Sequence, residues 1–371
     1  MNINNLLNKI FLNHEHHGGE IYNLNLNSPY QILDFSTNIN PFFSYNLIKH
    51  SYMDSIYGIN KYPDSHSTNL RREIVNYFQN KITAKNLIVS AGSMDLISIF
   101  CDIFVNFNDE IIINQPTFSE YAWAVKKKKG KIISVYRRPE NNFQISSDSV
   151  IEEMTSKSKI IFICNPNNPN GLLEDPRDLI EIINVASEKD IFIFLDEAFI
   201  DFCGESNSFV SNISSYDNLF ISRTFTKFFG IPGLRIGFGV SSPEIIELLN
   251  RFQNLWPVNC IAQNIAIKML KSKNFLKKSL NLISEEYNFL VNELNQIHRL
   301  KTYPSQTNYI LINLENTGLT ASELKTKLLE EGILIRDCSN FEGLDDYYIR
   351  IGIKTRDLNK KFIDSLKKVI K

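Results

Sequence analysis

The chain has 371 residues, of which 43% are hydrophobic and 22% charged, and its formal net charge is -1. That length predicts about two domains, and the composition predicts a folded globular protein. A charge so close to zero supplies no pull toward nucleic acid or an anionic membrane, so neither is expected as a partner.

At the N-terminus, MNINNLLNKIFLNHEHH has no basic stretch followed by a long apolar one, and no later run is long enough to span a bilayer. The histidines of HEHH have no distant ligand set beside them, so no metal is assigned. Cys101, Cys164, Cys203, Cys260 and Cys338 are scattered without a C-x-x-C pair, several inside apolar runs, which predicts a reducing, cytoplasmic setting. Short, nearly continuous apolar runs follow near Leu87, Ile112, Ile133, Phe162, Phe194 and Phe220, and such runs predict strands covered on both faces. Helical patterns such as DLISIFCDIFV and RDLIEIINVASEKD lie between them, so the order predicts an α/β domain with a mostly parallel sheet. After Trp256 the texture changes to a long helical pattern, NLISEEYNFLVNELNQI, then TNYILINL, GILIRDC and YYIRIGI with two further helices. The expected organisation is an N-terminal arm (1–45) joining the small domain, a large domain (46–255) and a smaller α+β domain (256–371).

The segment SRTFTKFFGIPGLRIGFG carries the chemistry. Alone, Lys227 reads as an exposed cation. Beside it, however, Ser222, Thr224 and Thr226 offer hydroxyls and Arg235 offers a fork suited to phosphate or carboxylate. Hydroxyls, a cation and a lysine that desolvation can neutralise form a set able to hold a phosphorylated aldehyde and condense with it, and pyridoxal 5'-phosphate is the candidate. Such a cofactor needs an anion at its pyridine nitrogen, a partner for its ring hydroxyl and N–H groups for its phosphate. Asp196 ends an apolar strand, and Asn168 sits in the proline-set loop NPNNPNG. Gly92 and Ser93 lie between a strand and a helix N-terminus, and Phe118 follows a strand where it can stack on a flat ring. Taken singly, each of these also reads as a cap, a turn or a core aromatic.

In this order GSM, PTFSEY, NPNNPNG, DEAF, SRTFTKFFGIPGLRIGF and YIRIG resemble the fold-type I pyridoxal-phosphate enzymes of the aspartate aminotransferase superfamily, over nearly the whole chain. The resemblance implies Lys227 as the lysine joined covalently to the cofactor aldehyde, Asp196 at the pyridine nitrogen and Asn168 on the ring hydroxyl. It implies Gly92, Ser93, Thr224, Thr226 and Arg235 around the phosphate, with Met94, Phe118 and Phe199 completing the cofactor set. Phe199 in DEAF stands where many transaminases carry a tyrosine. Tyr62 matches a residue that crosses to the neighbouring subunit's cofactor phosphate, which implies a homodimer.

Within the superfamily, HHGGE, LDFSTNINPF, LWPVN and LIRDCSNFEGLDDYYIRI resemble the threonine-phosphate decarboxylases of cobalamin synthesis. Glu20 and Asn170 depart from that pattern, standing where asparagine and threonine or serine are usual. The resulting expectation is decarboxylation of L-threonine O-3-phosphate to (R)-1-amino-2-propanol O-2-phosphate, or of serine phosphate. The alternative is an aminotransferase for histidinol phosphate or a related amino acid. A substrate with several anionic charges needs more than one cation, and Arg336 and Arg350 lie on successive strand patterns of the small domain, from which both could face the cleft. His17, Gly19, Asn40 and Asn168 complete the substrate cradle by resemblance.

Overall fold

The computed structural model describes residues 32–370. Its first strand is β1 (Leu33–Asp34), followed by β2 (Leu87–Ser90), β3 (Glu110–Gln115), β4 (Lys131–Tyr136), β5 (Ser158–Cys164), β6 (Phe192–Asp196), β7 (Leu219–Thr224) and β8 (Gly237–Val240). The last seven form one sheet in the order β2-β8-β7-β6-β5-β3-β4, with β8 antiparallel to both neighbours and the other adjacent pairs parallel. All six expected strands of this sheet are present. The sequence reading passed over β8, because two of its four residues are glycine and no apolar run marks it.

Continuous apolar runs form these strands because both sheet faces are covered. Ile112, Ile161, Ile193 and Leu195 enter one buried cluster, whereas their chain neighbours Ile111, Ile113, Ile160 and Phe194 enter another on the opposite face. Helices Ser93–Phe104 and Pro176–Glu188 are among those between the strands. The second starts on an Asp175 cap, with Pro176 supplying a first residue that needs no N–H partner.

The C-terminal part builds β9 (Lys301–Thr302), β10 (Tyr309–Asn313), β11 (Ile333–Leu334), β12 (Arg336–Asp337) and β13 (Tyr348–Gly352). An antiparallel sheet runs β12-β13-β10-β9, while β11 pairs in parallel with β1. GILIRDC, which reads as one strand, is therefore divided at Ile335: its first half binds the N-terminal segment and its second half aligns Arg336 with Arg350. Helices Lys273–Asn295, Ala321–Glu330 and Arg356–Val369 accompany this sheet. Helix Cys260–Leu270 packs instead against helices Tyr45–Ile56 and Thr68–Tyr77. The C-terminal ends of the parallel strands β3, β5, β6 and β7 open toward the small sheet, the edge at which open α/β sheets hold ligands.

Candidate active site

A cavity of about 770 Å³ lies at that edge. The large sheet contributes Asp196 and Thr224 at strand ends, and Thr226 and Lys227 from the bend beyond β7. Ser93 and Met94 come from the helix after β2, Phe118 from the turn after β3, Asn168 from the loop after β5, and Phe199 from just beyond β6. Arg235 enters ahead of β8, and Arg336 and Arg350 enter from the small sheet.

Asp196 is buried at the cavity floor. The Tyr121 hydroxyl donates to its Oδ2 at 2.7 Å and the Ala198 N–H to its Oδ1 at 3.1 Å. Burial nevertheless dominates and pushes the carboxyl up to about 6, although both hydrogen bonds and the charge of Lys227 favour ionisation. A further cation opposite Asp196 would restore its charge. Lys227 is displaced in the other direction: burial first, then Arg350 and Arg235, pull its amine down to about 8, with Asp196 opposing. Its Nζ lies 5.5 Å from the centre of the Phe199 ring. Near neutral pH a useful share of this amine is therefore unprotonated and nucleophilic.

Gly92 has φ +101°, and a Cβ placed there would meet the Arg235 guanidinium at 2.9 Å, so glycine lets the cation approach the turn. The following helix has no side-chain cap, which leaves its first N–H groups facing the same region. Thr224 Oγ1 donates to Thr226 Oγ1 at 3.0 Å and accepts from the Thr226 N–H at 3.2 Å. Amides, two hydroxyls and Arg235 thus converge on one end of the cavity.

At the other end Arg336 and Arg350 stand directly opposite each other on β12 and β13, 6% and 7% exposed. Arg350 donates to Asn168 Oδ1 and, at 3.1 Å, to the Ser36 carbonyl. Arg336 donates to Asn340 Oδ1 at 2.7 Å and lies 5.3 Å from the centre of the Phe341 ring. Neither forms a salt bridge with a carboxylate among the described residues. Two buried like charges on facing positions are mutually repulsive, and an anion between them would relieve that repulsion.

Two expected residues do not line this cavity, which for Tyr62, expected at the neighbouring subunit's cofactor, is no departure. Asn40 does not line the cavity: its Nδ2 donates to the Phe228 carbonyl and Ser279 Oγ, and its Oδ1 accepts from the Phe42 N–H. Its place is behind the lysine segment, where its own N–H also binds the Lys227 carbonyl at 3.0 Å. Tyr62 is 77% exposed and stacks on Trp256, with ring centres 4.2 Å apart, outside the cavity of its own chain. His17, Gly19, Glu20 and HEHH lie outside the described residues. Sequence reasoning missed Tyr121, Cys164, Phe341 and the Asp34–Asn38 turn, all of which line the cavity. Tyr121 sits three residues after Phe118, and nothing local marks it as the partner of Asp196. Burial pushes the Cys164 thiol up to about 12, so it is a protonated wall rather than a nucleophile.

These residues fit pyridoxal 5'-phosphate. The donor set matches a phosphate, a buried carboxylate awaits a cationic nitrogen, and a partly neutral lysine faces both. The Ser222 hydroxyl, Asn38 Oδ1 and Arg350 Nε are buried polar atoms with no partner among the described residues. Sheet and site together define a pyridoxal-phosphate-dependent enzyme of fold type I.

Comparison with known proteins takes the assignment further. Residues 30–366 match the family model for class I and II aminotransferases, and the chain belongs to that family. Members of it use pyridoxal 5'-phosphate, act on small molecules and commonly form homodimers. A histidinol-phosphate aminotransferase of Methanosphaera stadtmanae is 35% identical over 340 residues, covering 91% of this chain and 90% of the relative. One from Methanococcus aeolicus is 34% identical over 350 residues, covering 94% and 92%. Among solved structures, the histidinol-phosphate aminotransferase of Clostridium acetobutylicum superposes with a TM-score of 0.85 at 34% identity, covering 91% of this chain and 99% of that one. The L-threonine-O-3-phosphate decarboxylase of Porphyromonas gingivalis gives 0.78 at 26% identity over the same shares.

These relatives overturn the decarboxylase expectation. The segments that suggested it include HHGGE, outside the described residues, and NINP, whose Asn40 is taken up in holding the backbone. Paired arginines do not discriminate, since any substrate with two anionic charges calls for them. Among the described residues no helix is long and apolar enough to cross a membrane, and no group of three or more His, Cys, Asp or Glu side chains is placed to hold a metal ion.

Proposed function

We propose that the chain is an aminotransferase that moves an amino group between a phosphate-bearing donor, with histidinol phosphate as candidate, and a 2-oxo acid. The observation that carries the choice of an aminotransferase is the 34–35% identity to histidinol-phosphate aminotransferases over more than nine-tenths of the chain. The facing pair Arg336 and Arg350, buried without a carboxylate partner, is where its anionic substrates would bind. Such a pair suits either a phosphate dianion or the carboxylates of an oxo acid such as 2-oxoglutarate, so one site serves both substrates in turn. The names carried by relatives of 34–35% identity support the same choice.

When bound, pyridoxal 5'-phosphate supplies an electron sink for charge developing at the amine-bearing carbon. Asp196 holds a proton at the pyridine nitrogen, and Tyr121 keeps that carboxylate oriented. Ser93, Thr224, Thr226, Arg235 and the N–H groups beside Gly92 hold the cofactor phosphate. Phe118 and Phe199 wall the ring, and Asn168, braced by Arg350, meets its hydroxyl. Lys227 would anchor the cofactor aldehyde and then move the proton at the amine-bearing carbon. Residues 46–255 carry the cofactor, and the C-terminal part supplies the substrate cations Arg336 and Arg350. Exposed Tyr45, Tyr57, Ile59 and Leu255 accompany Tyr62 as the surface on which a second copy would dock.

Purified protein with added cofactor is expected to convert histidinol phosphate only when 2-oxoglutarate is present, with glutamate formed in equal amount. Turnover that needs no amino acceptor, or none with any phosphorylated donor, would end this reading.

A further inference from the structure

Arg336 is held by the segment that follows it, which is tied in turn to the far side of the cavity. Asn340 accepts from the Arg336 guanidinium and Phe341 covers it. The next residue, Glu342, reaches across to the large sheet: Ser134 Oγ and Tyr136 Oη donate to its Oε1 at 2.6 and 2.9 Å, and Gln115 Nε2 to its Oε2 at 3.4 Å. Gln115 also accepts the Thr117 N–H through its Oε1 at 3.2 Å, so the same amide braces the turn that presents Phe118. Gly343, at φ +91°, lets the segment lie flush on this edge, since a Cβ there would stand 3.2 Å from Tyr136 Cδ1 and 3.4 Å from Pro116 N.

We propose that Glu342 is the positioning residue of the anion subsite: by clasping the ends of β3 and β4 it fixes where Asn340 and Phe341 hold Arg336 over the cavity. This rests on reading Arg336 as an anion ligand. Glu342 is not a lining residue and acts through its neighbours. With the clasp released, the 339–344 segment loses its polar ties to the large sheet and Arg336 samples positions out of reach of the ligand.

The test uses the cofactor-loaded enzyme and inorganic phosphate as the probe, with binding followed by calorimetry. Glu342→Ala is expected to weaken phosphate binding by about 5- to 20-fold, the loss of two or three such hydrogen bonds, and to raise the donor KM while kcat stays within about twofold. Glu342→Gln, whose carbonyl still accepts from Ser134 and Tyr136, is expected to rescue binding to within about threefold of the parent. Ser134→Ala combined with Tyr136→Phe reaches the same loss with Glu342 in place. Unchanged or tighter phosphate binding in Glu342→Ala overturns the proposal, the latter by showing that the carboxylate merely repels the anion. So does a glutamine variant as weak as alanine, or a parent enzyme that binds no phosphate. Because phosphate binding requires no amino donor, a parent that binds phosphate but fails to turn over histidinol phosphate ends the functional reading alone.

Discussion

Strands β6 and β7 carry buried charges on both faces, and the two faces are completed differently. Asp196 and Thr224 face the cavity. The adjacent Glu197 and Arg223 face the other way, into a network of paired charges. There Arg223 donates to Asp201 and Glu205 at 2.7 Å each, to Ser208 at 3.2 Å and to Glu197 at 3.3 Å, and its guanidinium lies 5.5 Å from the Phe78 ring centre. Glu197 also accepts from Ser208 Oγ at 2.6 Å and from the Phe209 N–H at 2.8 Å. On that face only the Arg223 Nε is left without a partner among these groups. On the cavity face a carboxylate lacks a full counter-charge and two arginines lack an anion. Burial alone therefore does not mark a functional charge; an incomplete set of partners beside open space does.

The sharpest way to break this comparison is Lys227→Ala. It is expected to reduce turnover by about 10³-fold or more without lowering the temperature of thermal unfolding, because burial already works against this amine's charge. A large loss of stability instead would assign the lysine to the framework. Arg223→Met should behave in the opposite way. It strands carboxylates in a buried setting and is expected to destabilise the fold by about 3–5 kcal/mol, measured by urea unfolding. A variant as stable as the parent would mean that this network is not closed in solution.

Next in size is Arg350→Lys, which keeps the charge but loses the fork that reaches Asn168 and Ser36. The donor KM is expected to rise about 10- to 100-fold with little change in stability, as steady-state kinetics and melting together would show. A further test sharpens the electrostatic side. In cofactor-free protein Lys227 titrates at about 8, below its ordinary 10.5. Between those values the unfolded chain binds more protons, so this lysine makes stability rise with pH; below about 8 both states are protonated and its contribution is level. Urea midpoints from pH 7 to 10 should show that rise, and Lys227→Met should remove it. Cofactor uptake by the parent, followed by absorbance, should quicken over the same range, with its midpoint near 8.

Much of the large sheet was legible because each strand is a run of apolar residues between polar turns, and the local pattern already states that both faces are buried. Lys227, Asp196, Asn168 and Arg235 were legible because their neighbours are unusual together. Tyr121 was not: its role depends on a strand 75 residues away reaching the same depth. Asn40 was misplaced because a turn asparagine in a motif does not say which way its amide points, and the structure directs it into the backbone of 228. The division of GILIRDC between two sheets was hidden for a similar reason, since an unbroken apolar run does not reveal that its two ends pair with different partners.

By itself, then, the order of residues determined the alternation of strands and helices, the position of the candidate amine and the need of an anionic substrate for more than one cation. Those properties follow from local polarity and from chemistry that particular side chains alone can perform. Which charges remain unpaired, which arginine faces which, and which surface carries the exposed aromatic residues were decided by tertiary structure. Electrostatic completion depends on distances of about 3 Å between groups that the chain separates by tens or hundreds of residues, and only folding sets those distances.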